Sequence, residues 1–141
     1  GQYIIRMGYS NYALAAVDGS VGRADAVIEN QTNIITEDTS CVWTISAQGR
    51  GYVLYNEASG KYLAVTNSGY NSPWGGWYQQ RKTLSLSSQP TVFNAYQNGQ
   101  YTCFYVMNGR SYSYLTSNSN KFSLSNRGGY NANMLIFQKA E

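Results

Sequence analysis

An all-β fold made of three consecutive units is predicted by three observations. Short runs of Tyr, Val, Ile, Leu and Thr are punctuated throughout by Gly, Asn and Ser, the texture of strands joined by tight turns. No segment longer than about ten residues keeps a 3.6-residue apolar period, so no helix of consequence is expected. A strand pattern also recurs as Gln2-Tyr3-Ile4-Ile5-Arg6, Gly51-Tyr52-Val53-Leu54-Tyr55 and Gln100-Tyr101-Thr102-Cys103-Phe104, with the tyrosines 49 residues apart each time. Self-similarity at a fixed period marks a repeated supersecondary unit.

The first unit, 2–50, opens on the Tyr3 strand and continues at Tyr12-Ala13-Leu14. It turns at Asp18-Gly19-Ser20, with Asp25 in the same Gly-containing stretch, and closes on Val42-Trp43-Thr44-Ile45. The second, 51–99, opens at Tyr52, turns over Asn56-Glu57-Ala58-Ser59-Gly60, continues at Tyr62-Leu63 and closes on Val92-Phe93-Asn94-Ala95-Tyr96. Gln97-Asn98-Gly99 leads into the third, 100–141, which turns over Met107-Asn108-Gly109-Arg110, continues at Tyr114-Leu115 and closes on Leu135-Ile136-Phe137. Asn-Gly suits such turns because they need positive φ.

Three units are too few for a propeller, whose rings hold about 4 to 8 blades. They fit a β-trefoil, in which the outer strands of each unit build a six-stranded barrel and the middle strands a hairpin of a triplet cap. The barrel strands are expected to begin near Tyr3, Val42, Tyr52, Val92, Tyr101 and Leu135. Tyr3, Tyr52 and Tyr101, repeating in register, are assigned to the barrel rather than to a ligand. A length of 141 residues makes this a single domain, 1–141.

Composition narrows the chemistry. With 43% hydrophobic and 12% charged residues, the chain can pack a core rather than stay disordered. Histidine is absent, which removes the commonest general base and metal ligand and every Ser-His or Cys-His dyad. No enzyme activity and no cofactor are expected. The ten basic residues are spread along the chain, so no nucleic-acid partner is indicated. No apolar run approaches the roughly 18 residues that would insert into a membrane.

Glu37 and Asp38 are adjacent and, on a strand, would point to opposite faces rather than form an acid/base pair. Asp18 and Asp25 lack the Asp-x-Asp-x-Asp-Gly spacing of a calcium loop and read as a solvated turn; no metal site is expected. Asn30-Gln31-Thr32 matches the N-glycosylation acceptor pattern. Cys41 falls on the closing strand of unit one and Cys103 on the opening strand of unit three, the second and fifth of six barrel strands. A disulfide needs Cα atoms within about 7 Å, so two thiols are expected.

At Gly51-Tyr52-Val53-Leu54-Tyr55-Asn56, followed by Ser59-Gly60-Lys61-Tyr62-Leu63-Ala64-Val65, the sequence resembles ricin-type β-trefoil lectin modules. Their units open with a strand, an Asn-containing turn, Gly-Lys and an aliphatic strand. The resemblance spans all three units and is closest in the second. It implies a non-catalytic, extracellular or cell-surface module that binds a glycan, often as one domain of a longer secreted carbohydrate-active protein. Two features of that family are missing. Its Gln-x-Trp signature is replaced by Cys41 before Trp43 and Thr91 before Phe93, and unit three has no tryptophan. Its sugar-binding Asp is replaced by Ala15, Ala64 and Thr116. The usual galactose site is therefore not carried over; Asp18, a few residues on, would substitute only in a rebuilt turn.

The candidate ligand site is instead the stretch from Gly69 to Lys82, which reads as a loop and holds two of the three tryptophans beside Gly and Pro. Tyr70, Asn71, Trp74, Trp77, Tyr78 and Arg81 combine aromatic faces, on which the CH groups of a pyranose stack, with hydrogen-bonding groups for its hydroxyls. The competing reading is that both tryptophans fold back and cap the barrel. Tyr9, Tyr12, Tyr112, Tyr114 and Tyr130, in or near turns, are secondary candidates. The functional alternative is a protein-binding trefoil, such as a protease inhibitor or adhesive module.

Overall fold

The computed structural model describes residues 1–25, 33–34, 38–71, 78–108, 111–118 and 121–139. Thirteen strands are described: β1 (Gln2–Met7), β2 (Tyr12–Val17), β3 (Ser20–Asp25), β4 (Asn33–Ile34), β5 (Trp43–Gln48), β6 (Gly51–Asn56), β7 (Lys61–Asn71), β8 (Tyr78–Ser87), β9 (Asn94–Asn98), β10 (Tyr101–Asn108), β11 (Ser111–Asn118), β12 (Lys121–Ser125) and β13 (Met134–Lys139). The helical content of the described residues is two three-residue 3-10 turns, Thr39–Cys41 and Tyr130–Ala132. The protein is all-β, as its turn-rich texture predicts. Strands start within two residues of the six positions expected for a barrel.

Pairing is antiparallel except where β4 meets β13. The hydrogen-bonded path runs β12-β11-β10-β13-β1-β5-β6-β7-β8, with β9 paired to β10 and β2 to β1 and β3. The ladder is not continuously closed, because β6 meets the β9 side only at the bridge Tyr52↔Phe93. There each residue's N–H donates to the other's carbonyl at 2.8 Å. The hairpins β2/β3, β7/β8 and β11/β12 project from this arrangement, and β3, β8 and β12 each pack against the other two.

The bridge depends on Gly51. A Cβ there would sit well inside van der Waals contact distance of the Phe93 carbonyl oxygen and 2.8 Å from Val92 Cγ1. Gly51→Ala is therefore expected to lower stability by about 1–3 kcal/mol. Urea unfolding checks this as a lower midpoint at unchanged slope.

Alternation along the strands builds the core. Ile5, Leu54 and Phe104 from β1, β6 and β10 meet Leu14, Leu63 and Leu115 from the second strands and Trp43, Phe93 and Met134 at the closing segments. Each such buried side chain contributes about 1.5–3 kcal/mol of transfer free energy. Trp43 also donates from Nε1 to the Leu14 carbonyl at 2.8 Å, which locks the closing strand to the second strand.

Three expectations are revised. Tyr3 and Tyr52 stand two residues before the core residues Ile5 and Leu54, but in β10 that relation to Phe104 belongs to Thr102. Tyr101 is thus on the opposite face, its ring 5.5 Å from that of Tyr9; a one-residue offset reverses every side chain of a strand. Cys41 lies in a 3-10 turn just before β5 rather than on it. The stretch read as a loop is mostly strand: Gly69–Asn71 end β7 and Tyr78–Lys82 belong to β8, in a ladder that continues to Asn71↔Tyr78. Backbone hydrogen bonding carries the hairpin past its apolar base, whatever its side-chain composition.

Both cysteines are buried thiols. Cys41 donates to the Asp38 carbonyl at 3.2 Å and Cys103 to Asn133 Oδ1 at 3.5 Å. Titration without reductant is expected to find two reactive groups per chain in denaturant and almost none in the folded protein. An intramolecular bridge found by mass spectrometry would contradict this.

Candidate functional site

Two polar clefts occupy corresponding places in the chain. Each lies between a second-to-third-strand hairpin and the 3-10 turn that precedes the next closing strand.

The first, of about 640 Å³, is lined by residues of β2, β3 and the Thr39–Cys41 turn with its cap, among them Tyr12, Asp18, Arg23, Asp25, Asp38 and Ser40. The β2/β3 hairpin closes on Asp18 and Gly19, with φ of 51° and 78°. Positive φ at both central residues is the type I′ geometry that matches strand twist. This turn presents Asp18 at the cleft. Strand pairing sets Tyr12 opposite Asp25. The Arg23 guanidinium lies over the Tyr12 ring, 4.0 Å from its centroid, in a cation–π contact.

On the other wall, Asp38 caps its 3-10 turn, accepting from the Ser40 N–H at 3.0 Å and from the Ser40 hydroxyl. Fully buried Asn56 holds that turn in place. Its Nδ2 donates to the Ser40 carbonyl at 2.8 Å, while its Oδ1 accepts from the Ser59 N–H at 2.9 Å. The cleft thus sets three carboxylates, one guanidinium, a hydroxyl and an aromatic ring around one space. Three carboxylates against one cation disfavour an anion and suit a molecule rich in hydroxyl donors. Among the described residues no group of three His, Cys, Asp or Glu converges to hold a metal ion.

The second cleft, of about 400 Å³, lies against β11, β12 and the Tyr130–Ala132 turn; Thr116, Asn118, Ser123, Arg127, Tyr130 and Asn131 line it. Thr116 Oγ1 donates to the Ser123 carbonyl at 3.2 Å across the hairpin. Here too a buried asparagine secures the turn region: Asn133 Nδ2 donates to the Tyr9 hydroxyl at 3.1 Å, and its Oδ1 accepts from Asn98 Nδ2 at 3.1 Å. Tyr9 in turn stacks on Tyr130, with centroids 3.9 Å apart and planes 4° from parallel. The 65% exposed Tyr130 ring is therefore held flat at the cleft edge.

Of the residues proposed from sequence, Trp74 and Trp77 lie outside the described residues. Tyr70, Asn71, Tyr78 and Arg81 are strand residues near the end of the β7/β8 hairpin, where Asn71 pairs with Tyr78, Tyr70 with Gln79 and Ser68 with Arg81. They lie on the hairpin whose strand β8 packs against β3 and β12, strands of the hairpins that line the two clefts.

Sequence reading does not assemble the first cleft. Asp25 reads as part of a turn, yet it ends β3. Asp38 is judged as a strand residue, yet it caps a 3-10 turn, and its neighbour Glu37 lies outside the described residues. Arg23 and Ser40 carry no motif. The available signals are the Asp-Gly pair between two strand-like runs and the Asp-x-Ser cap just before the closing strand. Thr116, one of the three residues in place of the family's aspartate, does line the second cleft, whereas Ala15 is wholly buried.

No protein-family model matches the sequence, and no curated protein is significantly similar to it. Solved structures are similar in fold. A ricin B-like lectin of Macrolepiota procera, in complex with lactose, superposes with a TM-score of 0.72 at 12% identity, over 98% of this chain and 95% of that one. SeviL, bound to asialo-GM1 saccharide, gives 0.63 at 12% identity over 98% and 97%. A GlcNAcα1-4Gal-releasing endo-β-galactosidase from Clostridium perfringens gives 0.67 at 14% identity over 96% of this chain but only 32% of its own.

Proposed function

We propose that this chain, whose fold is that of ricin B-like lectins, is a non-catalytic carbohydrate-binding β-trefoil. Its units 2–50, 51–99 and 100–141 form one domain, and it holds glycans at its hairpins. The observation that carries the reading is the pair of polar clefts at corresponding places beside the two 3-10 turns. The trefoil reading is supported by the circuit of pairs β1-β5-β6, the Tyr52↔Phe93 bridge, β9-β10-β13 and back to β1. Mutual packing of β3, β8 and β12 supports a triplet cap.

In the second cleft a pyranose would place its CH face on Tyr130, and in both clefts its hydroxyls would meet the carboxylates, amides and hydroxyls around them. The stretch of sequence from Tyr70 to Arg81, with Tyr70, Asn71, Trp74, Trp77, Tyr78 and Arg81, is the proposed third contact. Lactose and the asialo-GM1 saccharide in the similar lectins make galactose-containing glycans the first class to test. The galactosidase, where a comparable fold makes up about a third of the chain, supports a role as one domain of a longer protein, for which we propose a secreted or cell-surface location.

A glycan array followed by calorimetric titration tests the reading. Saturable binding of defined sugars, recovered unchanged, is expected; a blank array would overturn it. A blank array would favour a protein partner, for which the exposed Tyr96, Met107 and Tyr112 supply suitable side chains. Replacing Trp74 and Trp77 together with Ala is expected to reduce retention on a glycan surface while leaving the circular dichroism spectrum unchanged. Unfolding of that double variant would assign both rings to packing.

A further inference from the structure

We propose that the open pocket between β1, β5, β6, β9, β10 and β13 is a separate binding site for an uncharged aromatic alcohol. A cavity of about 450 Å³ opens there, and each of the six strands contributes to its wall. It shares no lining residue with either polar cleft, so the inference does not rest on the carbohydrate reading.

Strand register explains why this space is empty. Ile45 stands opposite Leu54, and Ile136 opposite Ile5, but Ala95 stands opposite Phe104. Two residues before Leu54 and Ile5 are Tyr52 and Tyr3; two before Phe104 is Thr102. On the paired strands β9 and β10 a small residue thus stands at both positions where the other pairs carry Ile and Tyr. The missing atoms fall side by side, and a hydrogen-bonded ladder cannot collapse to fill the gap.

The lining indicates the ligand. Ile45, Ile136 and Phe104 supply an apolar surface, and Tyr3 and Tyr52 add aromatic rings to which a flat body can pack. Gln97, Gln100 and Thr102 add amide and hydroxyl groups: Gln97 Nε2 donates to Thr102 Oγ1 at 2.9 Å, which leaves the Thr102 hydroxyl proton and Gln97 Oε1 to meet one ligand hydroxyl. Among the described residues no charged side chain lines the cavity. An ion docked against that lining would give up part of its hydration with no charged partner, a far larger cost than a neutral molecule with one hydroxyl meets. The volume falls in the ordinary range of small-molecule sites, about 300–1,000 Å³.

The test is fluorescence titration of the full chain with 2-naphthol, alongside naphthalene-2-sulfonate, an anion with the same ring system. One saturable 2-naphthol site per chain is expected, with the sulfonate at least about tenfold weaker. The double substitution Ala95→Ile and Thr102→Tyr, which installs the larger residues of the other strand pairs, is expected to weaken 2-naphthol at least about tenfold by filling the cavity. Should that variant not fold, methyl NMR of the unaltered protein decides, with 2-naphthol expected to shift the Ile45 and Ile136 signals. Absence of saturable binding, equal binding of the sulfonate, unaltered binding in the folded double variant, or binding that leaves both isoleucines unshifted would each overturn the proposal.

Discussion

Trp43→Ala is expected to lower the melting temperature steeply. The indole is wholly buried among Ile5, Leu14, Leu54 and the other core residues. Its removal costs about 3–5 kcal/mol in lost transfer energy and cavity. The Leu14 carbonyl, which now accepts from Nε1 at 2.8 Å, would also lose its partner, at about 1–3 kcal/mol. Against a total stability of about 5–15 kcal/mol for a domain, the sum of about 4–8 kcal/mol is a large fraction. Trp43→Phe separates the two contributions, since it keeps most of the apolar volume and removes only the donor; it is expected to fold with a lowered Tm. Calorimetry distinguishes these outcomes, and a Trp43→Ala protein melting within a few degrees of the parent would contradict the packing described.

The second large effect is expected at the first cleft. Replacing Asp18 with Gly, which suits its positive φ, and Asp25 with Ala removes two acceptors without touching the core. Each hydrogen bond to a charged group is worth about 1.5–3 kcal/mol, reduced here because both side chains are exposed. The double variant is therefore expected to bind sugar about tenfold or more weakly at this cleft, with an unchanged melting temperature. Titration should record the loss as one site fewer per chain, because the second cleft is built from other residues. An unchanged stoichiometry and affinity would remove the first cleft from the carbohydrate reading.

What the sequence determined by itself is the all-β class, where most strands begin, and the buried leucines Leu14, Leu63 and Leu115 that follow the second tyrosines. These are legible because they rest on local rules: alternation sets which side chains are apolar, and Asn, Gly and Asp mark where the chain reverses. Register, clefts and cavities were decided by the tertiary structure. Tyr101 matches Tyr3 and Tyr52 at a constant spacing, yet it lies on the opposite face because the pairing of β10 is offset by one residue. Tyr12, Arg23 and Asp38 share a cleft only because the β2/β3 hairpin folds against a turn capped by Asp38 and held by Asn56 from β6. Ala95 and Thr102 are unremarkable in the chain. They open a cavity only because antiparallel pairing sets β9 beside β10, so that two small side chains fall on one side of a ring whose other pairs carry large ones.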